Sequence, residues 1–294
     1  MNSLLAIHWN LNPDISFFIF TFRWYGLFFA LGIALAFVLV NDLYKRSGIP
    51  DNYMISLLYM VVISAIIGAR LGEVLFYDLD FYLKHPGEII KIWHGGLASH
   101  GATIAIVIIV WVYAKYVIKK SFFYVGDRVV VGVAIVASFI RIGNFCNSEI
   151  VGKASNLPWA VVFERNFTNH IADTLSRHPT QIYEALAYFI LCISLYVYAR
   201  KNMDKLKAGT ISAYFLIGMF TFRFLVEFFK EVQQDFEKTL PLDMGQLLSI
   251  PFIILGFIAL WYSKKQVTVE VYLAPTTSET VTETSSEINS NPSV

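Results

Sequence analysis

The chain has 294 residues, a formal net charge of +1, 56% hydrophobic and 16% aromatic residues, and only 15% charged ones. Soluble domains carry roughly 25% charge, so this composition excludes an ordinary cytosolic enzyme, a nucleic-acid binder with a basic face and an acidic disordered chain. Two cysteines exclude a disulfide-rich scaffold, and what is left is a membrane protein.

A helix needs about 20 mostly apolar residues to cross a hydrocarbon core of roughly 30 Å. In chain order, the stretches 17–40, 54–77, 97–118, 128–145, 180–199, 209–229 and 244–263 come close to that length. They predict an all-α polytopic membrane protein of about seven transmembrane helices. The first run has no basic residue ahead of it and is too long for a signal-peptide core. The fourth is the shortest, with Arg128 and Arg141 near its ends. Two longer loops fall at about 79–96 and 146–178, and the second predicts a small cap around Trp159 and Phe163. From Gln266 to Val294 the chain turns rich in Ser, Thr and Glu and has no Lys or Arg. That segment, 266–294, predicts a disordered cytoplasmic tail, leaving 1–265 as the membrane domain.

Basic residues near the helix ends set the orientation. Lys45, Arg46, Lys115, Lys119, Lys120, Arg128, Arg200, Lys201, Lys205, Lys207, Lys264 and Lys265 lie on one side. They outnumber Lys84, Lys91, Lys153, Arg165, Arg177, Lys230 and Lys238 on the other. The bias places the N-terminus outside and the C-terminus in the cytoplasm, which agrees with seven crossings.

Arg23, Arg70, Arg141 and Arg223 fall inside predicted spans, where a charge near the helix centre costs roughly 2.5–3.5 kcal/mol. With the orientation applied, their depths agree. Arg23 and Tyr25, Arg70 and Glu73, His100, Arg141 and Asn144, Gln181 with Tyr183 and Glu184, Arg223 and Glu227, and Gln246 all fall toward the outer ends. The inner halves read as almost purely apolar. This sorting predicts one polar cavity at the outer leaflet. Plainer readings stand beside it. Arg70–Glu73 and Arg223–Glu227 have helical spacing for self-neutralising pairs, and Arg23 can snorkel to the interface.

His100 stands among Gly95, Gly96 and Gly101, which suggests close backbone approach at a helix start. The segment Arg141-Ile142-Gly143-Asn144-Phe145-Cys146-Asn147-Ser148-Glu149-Ile150-Val151-Gly152 gathers a guanidinium, two amides and a carboxylate. Arginine is suited to bidentate phosphate contact. Cys146 lacks an adjacent histidine and Cys192 reads as packing. No HExxH motif occurs and no two histidines are spaced as helical ligands, so neither a metal nor an organic cofactor is called for. Arginines at headgroup depth point to a phosphate-bearing lipid, handled by an enzyme or a transporter. The apolar inner halves and the lack of an internal repeat favour the enzyme.

The segment Arg141 to Gly152 resembles the signature of the bacterial prolipoprotein diacylglyceryl transferase family, Arg-x-Gly-Asn-Phe-x-Asn-x-Glu-x-x-Gly. The resemblance continues in Arg23-Trp24-Tyr25-Gly26-Leu27, Gly68-Ala69-Arg70-Leu71-Gly72 and Gly95-Gly96-Leu97-Ala98-Ser99-His100-Gly101. It runs on through Arg177-His178-Pro179-Thr180-Gln181-Ile182-Tyr183-Glu184, Arg223-Phe224-Leu225-Val226-Glu227-Phe228-Phe229 and Met244-Gly245-Gln246-Leu247-Leu248-Ser249-Ile250-Pro251. Ile140 departs from the glycine usual before the signature arginine.

The resemblance implies a multi-pass transferase of the bacterial inner membrane with its active site facing the outer leaflet. It would move the diacylglyceryl group of phosphatidylglycerol onto the lipobox cysteine thiol of prolipoproteins, as the first step of lipoprotein biosynthesis. It implies His100, Arg141, Arg223 and Tyr25 as catalytic residues. Arg141, Asn144, Glu149, Gly152, Gly101, Glu227 and Arg70 would bind substrate. His100 would act as base or orient the thiol, Arg141 and Arg223 would hold the phosphate, Glu149 and Glu227 would orient the arginines, and Gly101 and Gly152 would allow close approach. No nucleic acid is among the implied partners.

Overall fold

A computed structural model of the chain describes residues 7–17, 20–92, 95–165, 167–168, 171–172, 174–231 and 241–266. The predicted tail beyond Gln266 lies outside the described residues. The chain opens with β1 (Ile7–Trp9), β2 (Asp14–Phe17) and β3 (Phe20–Arg23), then α1 (Trp24–Arg46), α2 (Asp51–Phe76), the short α3 (Leu79–Lys84) and α4 (Ser99–Val112). A π-helical turn, Tyr113–Ile118, prolongs α4 before α5 (Phe122–Cys146). The loop strands β4 (Val161–Phe163), β5 (Phe167–Thr168), β6 (Ile171–Ala172) and β7 (Ser176–Arg177) follow. The chain then forms α6 (Thr180–Asn202), α7 (Thr210–Glu227) and α8 (Met244–Lys265). Among the described residues seven helices are long and apolar enough to cross a membrane: all but α3, with α4 counted through Ile118.

Local chemistry sets the helix ends. Lys45 and Arg46 close α1 and Lys264 and Lys265 close α8, where cations favour the negative end of the helix dipole. The Ser121 hydroxyl accepts from the Tyr124 N–H at the start of α5, and Asp243 and Gln246 form a reciprocal capping box on α8.

Two predicted boundaries move. The first apolar run starts as a hairpin rather than a helix: β2 pairs antiparallel with β3, with Asp14 opposite Arg23. Arg23 therefore stands just outside α1, exposed, its Nε 3.3 Å from Asp14 Oδ1. The fourth span starts at Phe122, so Asp127 and Arg128 lie inside it and are buried. The expectation of almost purely apolar inner halves fails there.

Helix α5 is the hub, packing against α1, α6 and α7, while α8 packs on α7. Helices α2 and α4 form a separate close pair. At Gly101 a Cβ would come within 2.1 Å of the Gly68 carbonyl and 2.7 Å of the Gly72 Cα, so the two backbones touch through glycines spaced as in GxxxG. A buried cluster including Val40, Tyr44, Leu57, Val110, Tyr113 and Val125 fastens this pair to α1 and α5. It lies toward the Lys45 and Lys119 end, and in its partly buried fringe it reaches only to Val61 of α2 and Ile106 of α4. Outward-facing Leu, Ile, Val and Phe side chains cover the bundle, Ile63, Leu75, Ile108 and Ile254 each about half exposed. Such surface suits lipid rather than water.

At the opposite end sits the cap. Strand β1 pairs parallel with β4, and β4 antiparallel with β7. Their core is Val151, Val161 and Phe163, with Trp9 and Phe145 against it, and the Trp9 indole N–H donates to the Phe145 carbonyl at 3.1 Å. Phe163 is the buried centre of this cap; Trp159 is half exposed and donates to the Tyr183 hydroxyl at 2.8 Å. The contribution of residues 7–9 was not expected, because a three-residue strand carries no periodicity to read.

Candidate active site

The end of the bundle beneath the cap, here the arginine end, gathers charge from three helices. Glu184, one turn into α6, is fully buried. Its Oε2 lies 3.0 Å from Arg141 Nε of α5. Its Oε1 accepts from Tyr188 at 3.0 Å and from Lys230 Nζ at 3.2 Å. Lys230, three residues beyond α7 and itself only 4% exposed, donates also to Glu227 Oε2 at 3.1 Å. The sequence of charges is therefore Arg141, Glu184, Lys230, Glu227, alternating in sign and removed from water. A buried ion pair repays its desolvation only when its remaining polar groups are also bonded, and the Tyr188 hydroxyl supplies one such bond.

Lys230 and Glu184 were not among the predicted site residues. Lys230 counted as a loop lysine, because nothing in its neighbours betrays that the chain folds back under the cap. Its backbone explains the position: residues 229–231 pair with 151–153, with Lys153 N–H on the Phe229 carbonyl at 2.8 Å and Glu231 N–H on the Val151 carbonyl at 3.2 Å. Gly152 forms the bridge opposite Lys230. A Cβ there would meet the His178 carbonyl at 2.5 Å and the Phe229 carbonyl at 2.8 Å. The closeness at Gly152 is thus between strands of the protein.

Glu227 does not pair with Arg223 as its spacing suggested; Lys230 takes it instead. Arg223, half buried and with Tyr188 in electrostatic reach of both it and Arg141, makes no hydrogen bond or ion pair with any described residue. Glu149 likewise makes no ion pair with an arginine among the described residues. Its carboxylate accepts from Asn144 at 3.2 Å and Asn147 at 2.9 Å, while its carbonyl accepts from Gln181 at 2.6 Å. Ser148 and Ile150 on either side both have φ near +57°, the left-handed region that a β-branched residue rarely enters. That doubled turn presents Glu149 outward, and Asn144 links it to Arg141 through a 3.4 Å contact. Tyr25, at the start of α1, lies against Gly143 and within electrostatic reach of Glu149 and Arg141. Tyr25, Arg141, Asn144, Glu149 and Glu227 thus meet in one connected cluster, with Arg223 beside it.

Three predicted site residues stand elsewhere. Arg70 is buried and spends its guanidinium on the loop after α3: Nε on the Ile89 carbonyl at 2.8 Å, Nη1 on Gly95 and Gly96 at 2.6 and 2.9 Å, Nη2 on Glu88 and Lys91. With its donor set committed, Arg70 has none left for a substrate phosphate, and it holds the backbone at Glu88, Ile89, Lys91, Gly95 and Gly96 in place. Gly101 is used in the α2–α4 contact. His100, in the first turn of α4, is exposed and makes no hydrogen bond with any described residue. It stands at the head of the α2–α4 pair, Arg141 near the end of α5, and the core fastening the two stops short of both.

Residues 14–262 match the family model described as prolipoprotein diacylglyceryl transferase. The chain belongs to that family. It is 41% identical over 279 residues to the phosphatidylglycerol–prolipoprotein diacylglyceryl transferase of Bacteroides fragilis, covering 90% of this chain and 98% of the relative. The enzyme of the same name from Chloroherpeton thalassium is 39% identical over 272 residues, with 92% and 99% coverage. That from Tolumonas auensis is 37% identical over 261 residues, with 88% and 98% coverage. The protein is a transferase and a multi-pass membrane protein, and the expectations of family and of seven helices hold.

Proposed function

We propose that the protein transfers the diacylglyceryl group of phosphatidylglycerol to the lipobox cysteine thiol of a prolipoprotein, at the outer leaflet of the bacterial inner membrane. The cysteine sulfur attacks the glyceryl carbon bonded to the headgroup phosphate. A thioether forms, the carbon–oxygen bond breaks and glycerol phosphate leaves with the electron pair. The observation that carries this reading is Arg223, a cation without a described partner, beside an Arg141 held by buried Glu184.

Residues 1–265 form the catalytic domain and 266–294 a cytoplasmic tail. Arg141 and Arg223 stabilise charge growing on the departing phosphate ester, in surroundings where water does not screen it. Tyr25 and Asn144 bond the headgroup. A free thiol is only a few per cent ionised at neutral pH, so His100 takes its proton or orients it.

The test is a transfer assay in detergent with phosphatidylglycerol and a lipobox peptide, beside the same peptide with Cys→Ala. The expected result is a mass gain of one diacylglyceryl group on the cysteine peptide alone. No adduct from folded, lipid-binding protein overturns the proposal.

A further inference from the structure

At the end of the bundle opposite Arg141, the outward face of α4 meets the start of α5 in a groove of about 310 Å³ lined by Val107, Ile108, Trp111 and Phe122. Its walls are wholly apolar, as an acyl chain requires. The rim is the reverse. The Lys115 ammonium sits 5.0 Å from the Trp111 ring and 5.3 Å from that of Tyr116. Lys119 and Lys120 follow in the turn that brings Phe122 back toward Trp111. That turn is an unusual piece of backbone: a π-helical segment over Tyr113–Ile118, ended by Lys119 in the left-handed region at φ +56°. Such π segments are rare and concentrate at functional positions.

The three lysines form no ion pair with any described residue, and the sequence has no acidic residue between Glu88 and Asp127. Asp51, at the head of α2, is taken by Lys45 at 3.2 Å. Positive charge is therefore left directly beside an apolar surface groove that suits a hydrocarbon tail.

We propose that this groove is a binding site for an anionic phospholipid of the leaflet at that end, one tail lying along Val107, Ile108 and Trp111 and the phosphate held by Lys115, Lys119 and Lys120. The site is remote from Arg141 and independent of the transfer reaction. Each lysine near an anionic surface strengthens binding roughly five-fold, so charge selects this lipid over a zwitterionic one of equal tails.

The experiment measures quenching of Trp111 fluorescence, taken as wild type minus Trp111→Phe, by tail-brominated phosphatidylserine or phosphatidylcholine in mixed micelles. Phosphatidylserine is used because phosphatidylglycerol would also occupy the active site. The expected result is half-maximal quenching by phosphatidylserine at a mole fraction on the order of a hundred-fold lower than by phosphatidylcholine. That preference is lost when Lys115, Lys119 and Lys120 are all changed to Gln and kept when all three become Arg. Equal quenching by the two lipids in wild type reduces the groove to ordinary lipid contact and overturns the proposal. So does a preference that survives the Gln changes or vanishes with Arg.

Discussion

At the lysine end of the bundle, Asp127 of α5 reaches across to α7. Its Oδ2 accepts from the Gly209 N–H at 2.8 Å, and its Oδ1 from the Ser212 N–H and hydroxyl at 2.7 and 2.6 Å. Arg128 beside it bonds Ser47 Oγ at 2.7 Å and the Tyr124 carbonyl, its guanidinium 3.8 Å from the Tyr124 ring. Asp42 is shared by Arg46 at 3.0 Å and Tyr196 at 2.8 Å. Every one of these charges serves a helix end or a neighbouring helix.

At the arginine end the same residue types are arranged otherwise. Glu184 and Glu227 fix Arg141 and Lys230, while Arg223 has no described partner and Glu149 faces outward. At the lysine end Asp127, Arg128 and Asp42 are closed on helix ends and neighbouring helices; at the other, some charges are fixed so that others stay open. Buried charge alone therefore does not mark a site. The mark is a charge that its neighbours hold in place without satisfying it.

Substitutions can break this contrast. The largest effect is expected at Glu184, whose change to Gln leaves Arg141 and Lys230 without their shared anion. Thermal unfolding in detergent then reveals a loss of about 3–5 kcal/mol, with turnover falling too. Arg141→Ala keeps the Glu184–Lys230 pair and so keeps the fold, but transfer drops by about 10²–10³-fold. Full activity would remove the phosphate role. His100→Gln leaves the melting temperature unchanged, since no described contact is lost, and lowers kcat by about 10²-fold. Near-normal turnover excludes His100 as the base. Smallest is Asp127→Ala, which strips the head of α7 of its acceptor: stability falls by about 1–3 kcal/mol while the KM for phosphatidylglycerol and kcat stay at wild-type values. A change in either constant would mean that Asp127 is not merely structural.

The seven crossings were legible because hydrocarbon imposes length and composition on each. The errors lie where a local pattern has two solutions. The run from 17 to 23 is apolar enough to extend a helix, yet Phe20–Arg23 forms a strand against Asp14–Phe17. Asp127 and Arg128 looked like the end of a span because their partners, Gly209, Ser212 and Ser47, are supplied by other parts of the chain. Of the site, the signature segment was legible as a collection of groups, and Arg141, Asn144 and Glu149 do lie together. The partner of Arg141 was not, because it is fixed by the packing of α5 on α6. Arg70 misled for the same reason: its carbonyl partners belong to a loop 18–26 residues downstream, and no side-chain pattern announces them.

The short pairing of residues 151–153 with 229–231 has a mechanical meaning. Lys230 faces Gly152 through its backbone and Glu184 through its ammonium, so one residue is both a rung of the cap and a counter-charge of the cluster. A substitution that loosens the chain at Lys230 therefore disturbs the cap and the charges around Arg141 together.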